Sequence, residues 1–325
     1  MLRLPAWSAL GLTALLLGSA VPQARAWDDF GHMQVAAVAF KNLGPRTRDR
    51  VAQLLKLNPR YSSWITGVRR GAERDRVAFL RAATWADSIK SNSGYTRDDP
   101  GAPTASRNIG YGDLLRHDSW HYVDMPFSPD GTPLMQPRAP NAATQLPILA
   151  AALGAPDASE EVKSYDLVWL LHLVGDVHQP LHCVSRFDAS DPSGDRGGNH
   201  VKIAGNALPP ICDDLRRCPL GPPGDLHTFF DVVTGSSSAI RSVDAAVAGL
   251  PRASPSLATI RDHSIWIQEG LDLARSQIYV PPIGIGDGPF TVMPAYQEAA
   301  AQLARDRIAL AGARLANLLN DRLGR

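Results

Sequence analysis

Two stretches of the sequence place a histidine and an aspartate four residues apart: His172 with Asp176, and His227 with Asp231. On a helix such positions share one face. The run Leu167–Leu173 is apolar enough to be buried. A neutral imidazole and a carboxylate on a buried face are costly without a partner, and a bound cation is the natural one. Histidine with aspartate suits zinc, and no cysteine is needed. Asp87 stands in Trp85-Ala86-Asp87, near the C-terminal end of a predicted helix. A carboxylate there opposes the helix dipole unless a positive group faces it. His121 sits in Trp120-His121-Tyr122-Val123-Asp124. His182 follows Pro180, which breaks the helix and lets His182 turn elsewhere. His178 falls six residues after His172, about 240° round the helix. It reads as a supporting or surface histidine, not a ligand. With His32 added, the set points to a multi-metal site with zinc as the expected metal.

These groups must be held by a body of helices. Apolar residues recur at helical spacing over Val35–Lys41, Thr47–Leu57, Glu73–Ile89, Ala142–Leu153, Ser159–Val177, Ser238–Ala248, Ser256–Ser276 and Pro294–Leu323. Strand signals are sparse, and His200–Ile203 is the best candidate for part of a small hairpin. Ser91–Gly112, Phe127–Pro140, Ser185–Asp225 and Pro281–Pro289 are loop-like by their Gly, Pro, Ser and Asp content. The expected fold is all-α: one domain over 27–325, with long irregular loops.

The front end bears on how that domain begins. Arg3, the short apolar run Leu10–Val21 and Ala24-Arg25-Ala26 fit a secretory leader cut after Ala26. Trp27 would then be the first residue, and the protein secreted or periplasmic. Removal of residues 1–26 takes away Arg3 and Arg25 and no acid. The 33 basic side chains become 31 against 32 acidic ones, close to neutral. No basic arm remains to bind a duplex by counterion release, so any nucleic-acid contact must be local. No second apolar stretch reaches membrane-spanning length, which predicts a chain free of the membrane after cleavage. In an oxidising compartment Cys212 and Cys218 could close a small loop, leaving Cys183 as a buried thiol.

The motifs together resemble the single-strand-preferring, trinuclear zinc nucleases of fungi, plants and bacteria, a group related to bacterial phospholipase C. The resemblance runs over nearly all of residues 27–325. It is carried by Trp27 and His32, Trp85-Ala86-Asp87, His121-Tyr122-x-Asp124, and His172-x-x-x-Asp176-x-His178-Gln179-Pro180-Leu181-His182. It continues through Gly197-Gly198-Asn199 and His227-x-x-x-Asp231 to Ala311-Gly312-x-Arg314 and Leu318-Leu319-Asn320. It implies three zinc ions. Asp87, His121, His172 and Asp176 would hold one. Trp27, through its α-amine and carbonyl oxygen, and His32 would hold a second, with Asp176 bridging. His182, His227 and Asp231 would hold the third.

The resemblance also implies metal-assisted hydrolysis of single-stranded DNA and RNA to 5′-phosphorylated products, with removal of 3′-phosphate from mononucleotides beside it. Asp87, Asp176 and Lys90 would take part in catalysis, and Tyr122, Asp124 and Asn199 would bind substrate. Lys90 has the alternative of a solvated helix-end lysine, and Asn199 that of a turn residue. Phe230 departs from the tryptophan that relatives often carry there. No stable protein partner is implied, and a monomer is expected. A phosphoesterase acting on phospholipid headgroups is the alternative, and a non-catalytic zinc-binding protein a third reading.

Overall fold

The computed structural model describes residues 27–69, 71–99, 101–209 and 222–324. The leader, its cut after Ala26, and Cys212 and Cys218 lie outside the described residues. Among the described residues twelve α-helices carry the fold. They are α1 (Asp29–Lys41), α2 (Pro45–Leu55), α3 (Tyr61–Trp64), α4 (Ala72–Ala82), α5 (Trp85–Lys90) and α6 (Ala142–Gly154). Then come α7 (Glu160–Asp176), α8 (Leu226–Val232), α9 (Ile240–Ala248), α10 (Pro255–Ala258), α11 (His263–Leu273) and α12 (Pro294–Leu323).

Helix α7 runs through the centre. Ser159 caps it by accepting from the Val162 N–H at 3.2 Å, and Glu160 and Glu161 favour its positive end. Every residue from Ser164 to Asp176 is buried, which fits a helix apolar on nearly all sides. Helices α1, α2, α5, α6 and α12 pack around it. The 30-residue α12 lies along α1. Gly312 permits that approach, because a Cβ there would overlap Val38. The apolar side chains form one contiguous cluster. Among the described residues no helix is long and apolar enough to cross a membrane.

Three expectations are corrected. Glu73–Ile89 is not one helix: the chain breaks at Ala83 and Thr84. Thr84 Oγ1 bonds back to the Arg81 carbonyl at 3.0 Å, and the freed Ala83 carbonyl accepts from His172 Nδ1 at 2.7 Å. Asp87 therefore falls in the first turn of α5, where the dipole favours a carboxylate, not at a helix C-terminus. Ser256–Ser276 divides likewise into α10 and α11, followed by a π-turn at Ala274–Ile278. Asp262 restarts the chain by capping the Ser264 N–H at 2.9 Å. The hairpin around His200–Ile203 does not form. Strand β3 (Ile203–Ala204) pairs in parallel with β4 (Phe290–Thr291), and β1 (Pro126–Phe127) with β2 (Ser185–Arg186). Both pairings join distant segments, which local alternation cannot reveal.

Candidate metal centre

The helices bring eight of the nominated side chains together. His32 comes from α1, Asp87 from α5, His172 and Asp176 from α7, and His227 and Asp231 from α8. His121 and His182 sit on short 3₁₀ turns, Asp118–His121 and Pro180–Cys183. Their ligand atoms form three buried groups: His32, His172 and Asp176; Asp87, His121 and His172; His182, His227 and Asp231. Within each group the atoms lie within 4.8 Å of one another.

Hydrogen bonds around the rim fix which nitrogens face inward. A carbonyl can only accept, so a ring nitrogen beside one carries the proton. His172 Nδ1 donates to Ala83 at 2.7 Å, His182 Nδ1 to the His121 carbonyl at 2.8 Å, and His227 Nδ1 to Gly197 at 2.8 Å. Each Nε2 is thereby turned toward the group, as backing groups behind metal-bound histidines commonly arrange. The Nε2 atoms of His182 and His227 approach to 3.1 Å. Two nitrogens on one tetrahedral zinc lie about 3.3 Å apart. Gly197 is needed here: its φ is +63°, and a Cβ would overlap the Leu181 carbonyl. Asp225 starts α8 by accepting from the Thr228 N–H at 2.8 Å, which sets the face carrying His227 and Asp231.

The other two groups meet at α7. His32 stacks on His172 with ring centres 3.8 Å apart, and its Nε2 lies 3.3 Å from Asp176 Oδ1. Neither ring nitrogen of His32 has a hydrogen-bond partner among the described residues, and of the Asp87 carboxylate Oδ2 has none, while Oδ1 meets the Lys90 ammonium. A side chain at position 175 would push His32 away, because a Cβ on Gly175 would lie 2.8 Å from His32 Nδ1. His121 Nδ1 lies 3.1 Å from Asp176 Oδ2 and 3.0 Å from His172 Nε2. Buried polar atoms crowded together with few protons among them fit a shared cation.

Charge balance supports that fit. Burial holds the His121 and His182 rings well below their usual range and lowers His32 to about 4, keeping them neutral as metal ligands must be. Burial, with Asp87 adding, pushes the Asp176 carboxyl up to about 8. Asp87 goes the other way. Burial would raise it, but the Lys90 ammonium at 2.7 Å, then His172 and His121, draw it well below the carboxylate range. Lys90 is itself buried, so the solvated-lysine alternative falls away.

The remaining nominated residues divide. Trp27 is fully buried, its side chain against Gly31, and the next residue ties it to α8 through Asp28 N–H to Asp231 O at 3.2 Å. Tyr122 is part-exposed beside Asp124, whose carboxyl burial pushes up to about 6. Asn199 Nδ2 donates to the Arg196 carbonyl at 2.6 Å and closes a turn. Phe230 is buried edge-on to Phe229, away from ligation. Cys183 is a buried free thiol. His178 lies outside all three groups, yet it is fully buried rather than at the surface.

Two supporting residues were not foreseen. Gln179 donates to Asp231 Oδ1 at 2.9 Å and accepts from the Leu181 N–H at 2.6 Å, joining α8 to the turn that carries His182. Its place inside the motif was the one available signal. His117 bridges Asp98 and Asp113 at 3.2 and 3.1 Å and stacks on Trp120 at 3.7 Å, bracing the turn that presents His121. Asp113 stands four residues before it, a spacing that could have marked the pair, whereas Asp98 is 19 residues away in an irregular loop.

A mainly helical body holding clustered buried histidines and aspartates is the kind of protein that could hold metal ions. A family profile described as S1/P1 Nuclease matches residues 27–324, nearly the whole chain, and the protein belongs to that nuclease family. Among curated proteins no match is found.

Proposed function

We propose that this protein is a secreted or periplasmic zinc endonuclease. It cuts single-stranded DNA and RNA to 5′-phosphorylated products and removes 3′-phosphate from mononucleotides. The supporting observation is the set of three buried His/Asp groups, two of them sharing His172, in a chain that matches the nuclease family from residue 27 to 324. Asp87, His121, His172 and Asp176 would hold one zinc, Trp27 and His32 a second beside Asp176, and His182, His227 and Asp231 a third. When bound, zinc lowers the pKa of water toward about 7 and stabilises negative charge on phosphate oxygens.

The chain's own residues then orient the substrate. Lys90 lies in contact with Asp87 and would meet a phosphate from there. Tyr122 offers a face on which an unpaired base stacks, which favours single strands, and Asp124 lies beside it. Trp27 joins the ligands through an amine that exists only after the leader is cut. The buried Trp27 and a family match beginning at that residue support this. The protein works as a monomer on nucleic acid.

Purified protein assayed on single-stranded DNA, RNA, 3′-AMP and phosphatidylcholine tests the reading. Cleavage of the first three is expected, and activity on the lipid alone would reverse it. A chain keeping one residue before Trp27 should bind less zinc and cut more slowly; full activity would remove Trp27 from the ligands.

A further inference from the structure

Arg196 sits in the loop between β2 and β3, and both its flanks are locked. Before it, Asp195 accepts from the Arg186 N–H at 2.9 Å and from the Tyr279 hydroxyl at 2.7 Å. After it, Gly197 receives the His227 proton at 2.8 Å and packs against the Leu181 carbonyl. The Arg196 N–H itself donates to Ser185 Oγ at 3.2 Å, and its carbonyl accepts from Asn199. Between these ties the backbone is held at φ +53°. Glycine would take that conformation without strain, whereas an arginine does not. A strained non-glycine residue beside a site invites a functional explanation for its side chain.

That side chain is exposed and makes no hydrogen bond or ion pair among the described residues. Its backbone is nevertheless placed: the Arg196 turn packs on Leu181 and Ser185. The Tyr122–Met125 segment lines the same stretch, with the Val123 N–H donating to the His182 carbonyl at 2.8 Å and the Ser185 N–H to the Met125 carbonyl at 3.0 Å. The Arg196 charge is close enough to act on both the Tyr122 hydroxyl and the Asp124 carboxyl, opposing the burial that raises them. Arg97 also acts on Tyr122, but Asp118 engages it at 3.2 Å. Arg196 is thus an uncommitted cation between the His182/His227 group and the stacking face of Tyr122.

We infer that Arg196 is a substrate-contacting residue that grips a backbone phosphate of the nucleotide whose base stacks on Tyr122. This rests on the nuclease reading of the same site. A guanidinium forks onto phosphate oxygens with two parallel hydrogen bonds, and it keeps its charge at any working pH. The strained backbone holds that fork at the rim, where a flexible lysine on relaxed backbone would not point as reliably.

The test uses Arg196→Gly, which keeps the left-handed backbone and removes only the charge, with Arg196→Lys as partner. Cleavage of a short single-stranded oligodeoxynucleotide is followed across salt concentrations, and zinc content is measured alongside. Arg196→Gly is expected to raise KM about tenfold, with zinc content retained. The slope of log affinity against log salt should fall by about 0.7, the value for one single-strand phosphate contact. Arg196→Lys should keep most of the slope. Unchanged KM and slope in Arg196→Gly would overturn the inference. Loss of zinc would also overturn it, by showing that the residue acts through Gly197 and His227. A wild-type chain that leaves the oligonucleotide intact would instead sink the nuclease reading itself.

Discussion

His172 and His178 stand six residues apart at the end of α7, both fully buried, and their surroundings differ in kind. Both ring nitrogens of His178 have protein partners. Nδ1 donates to the Val174 carbonyl at 2.7 Å, and Nε2 accepts from Arg314 at 3.0 Å. Arg314 in turn forks onto Glu269 with two bonds of 2.7 Å and lies over the Trp266 ring, and Arg307 joins Glu269 at 3.0 Å. His172 has a partner for Nδ1 only outside the site; its Nε2 faces His121, Asp87 and Asp176. One region closes its hydrogen bonds within the protein, and the other presents acceptors to a common centre. A buried histidine is therefore no signal of a metal by itself. What distinguishes the two is whether the second nitrogen meets a donor.

The largest break in that contrast should come from Asp176→Ala. It removes the carboxylate of the His32 group, which also lies 3.1 Å from His121 of the neighbouring group, and a loss of several kcal/mol of metal-derived stabilisation corresponds to about 10³-fold in ssDNA cleavage rate. An unimpaired variant would sink the assignment. Removal of the metal should act on stability through the same region only. Chelation is expected to lower the Tm by about 5–10 °C, since an ion present at about 100 times its Kd adds about 2.7 kcal/mol. A Tm indifferent to chelator would show that the groups hold no ion in the folded state. Arg314→Met should break the other region. It leaves Glu269 and His178 short of a partner at a loss of about 3 kcal/mol in denaturant unfolding. Zinc content falling before stability does would mean that the clamp belongs to the metal site.

The smallest effect concerns a buried acid outside both regions. Burial pushes the Asp166 carboxyl up to about 8, against a side-chain hydrogen bond from Asn108. An unfolded aspartate titrates near about 3.9. The folded state thus keeps a proton that the unfolded state releases, so stability falls as pH rises from about 4 to about 8. Asp166→Asn should remove that slope and raise the Tm at pH 8, with the difference vanishing toward pH 4. Parallel pH profiles for the two proteins would contradict this.

Much of the candidate centre was legible in the sequence because the clustered side chains on α7 and α8 obey a local rule. A four-residue spacing puts His172 with Asp176 and His227 with Asp231 on one face each, and an apolar run announces burial. The long α12 also shows its bounds, since Pro294 starts it and its apolar stripe persists to Leu323. The break at Ala83 was not legible. Helix propensity continues through it, and what ends α4 is a carbonyl turned to His172, 89 residues away in the chain. The clamp on His178 was hidden for the same reason, since Glu269 and Arg314 come from different helices. The tail motif containing Arg314 was visible only as a resemblance; its contact with His178 gives it a physical role.

The central claim is that these residues build a centre for three zinc ions that hydrolyses single-stranded nucleic acid. The most direct measurement is a metal count on the protein beginning at Trp27, made on the same sample as an ssDNA cleavage assay. Three zinc ions per chain, with cleavage lost on chelation and restored by zinc, is the expected result. Fewer than three ions in fully active protein, or three ions without cleavage, would contradict it.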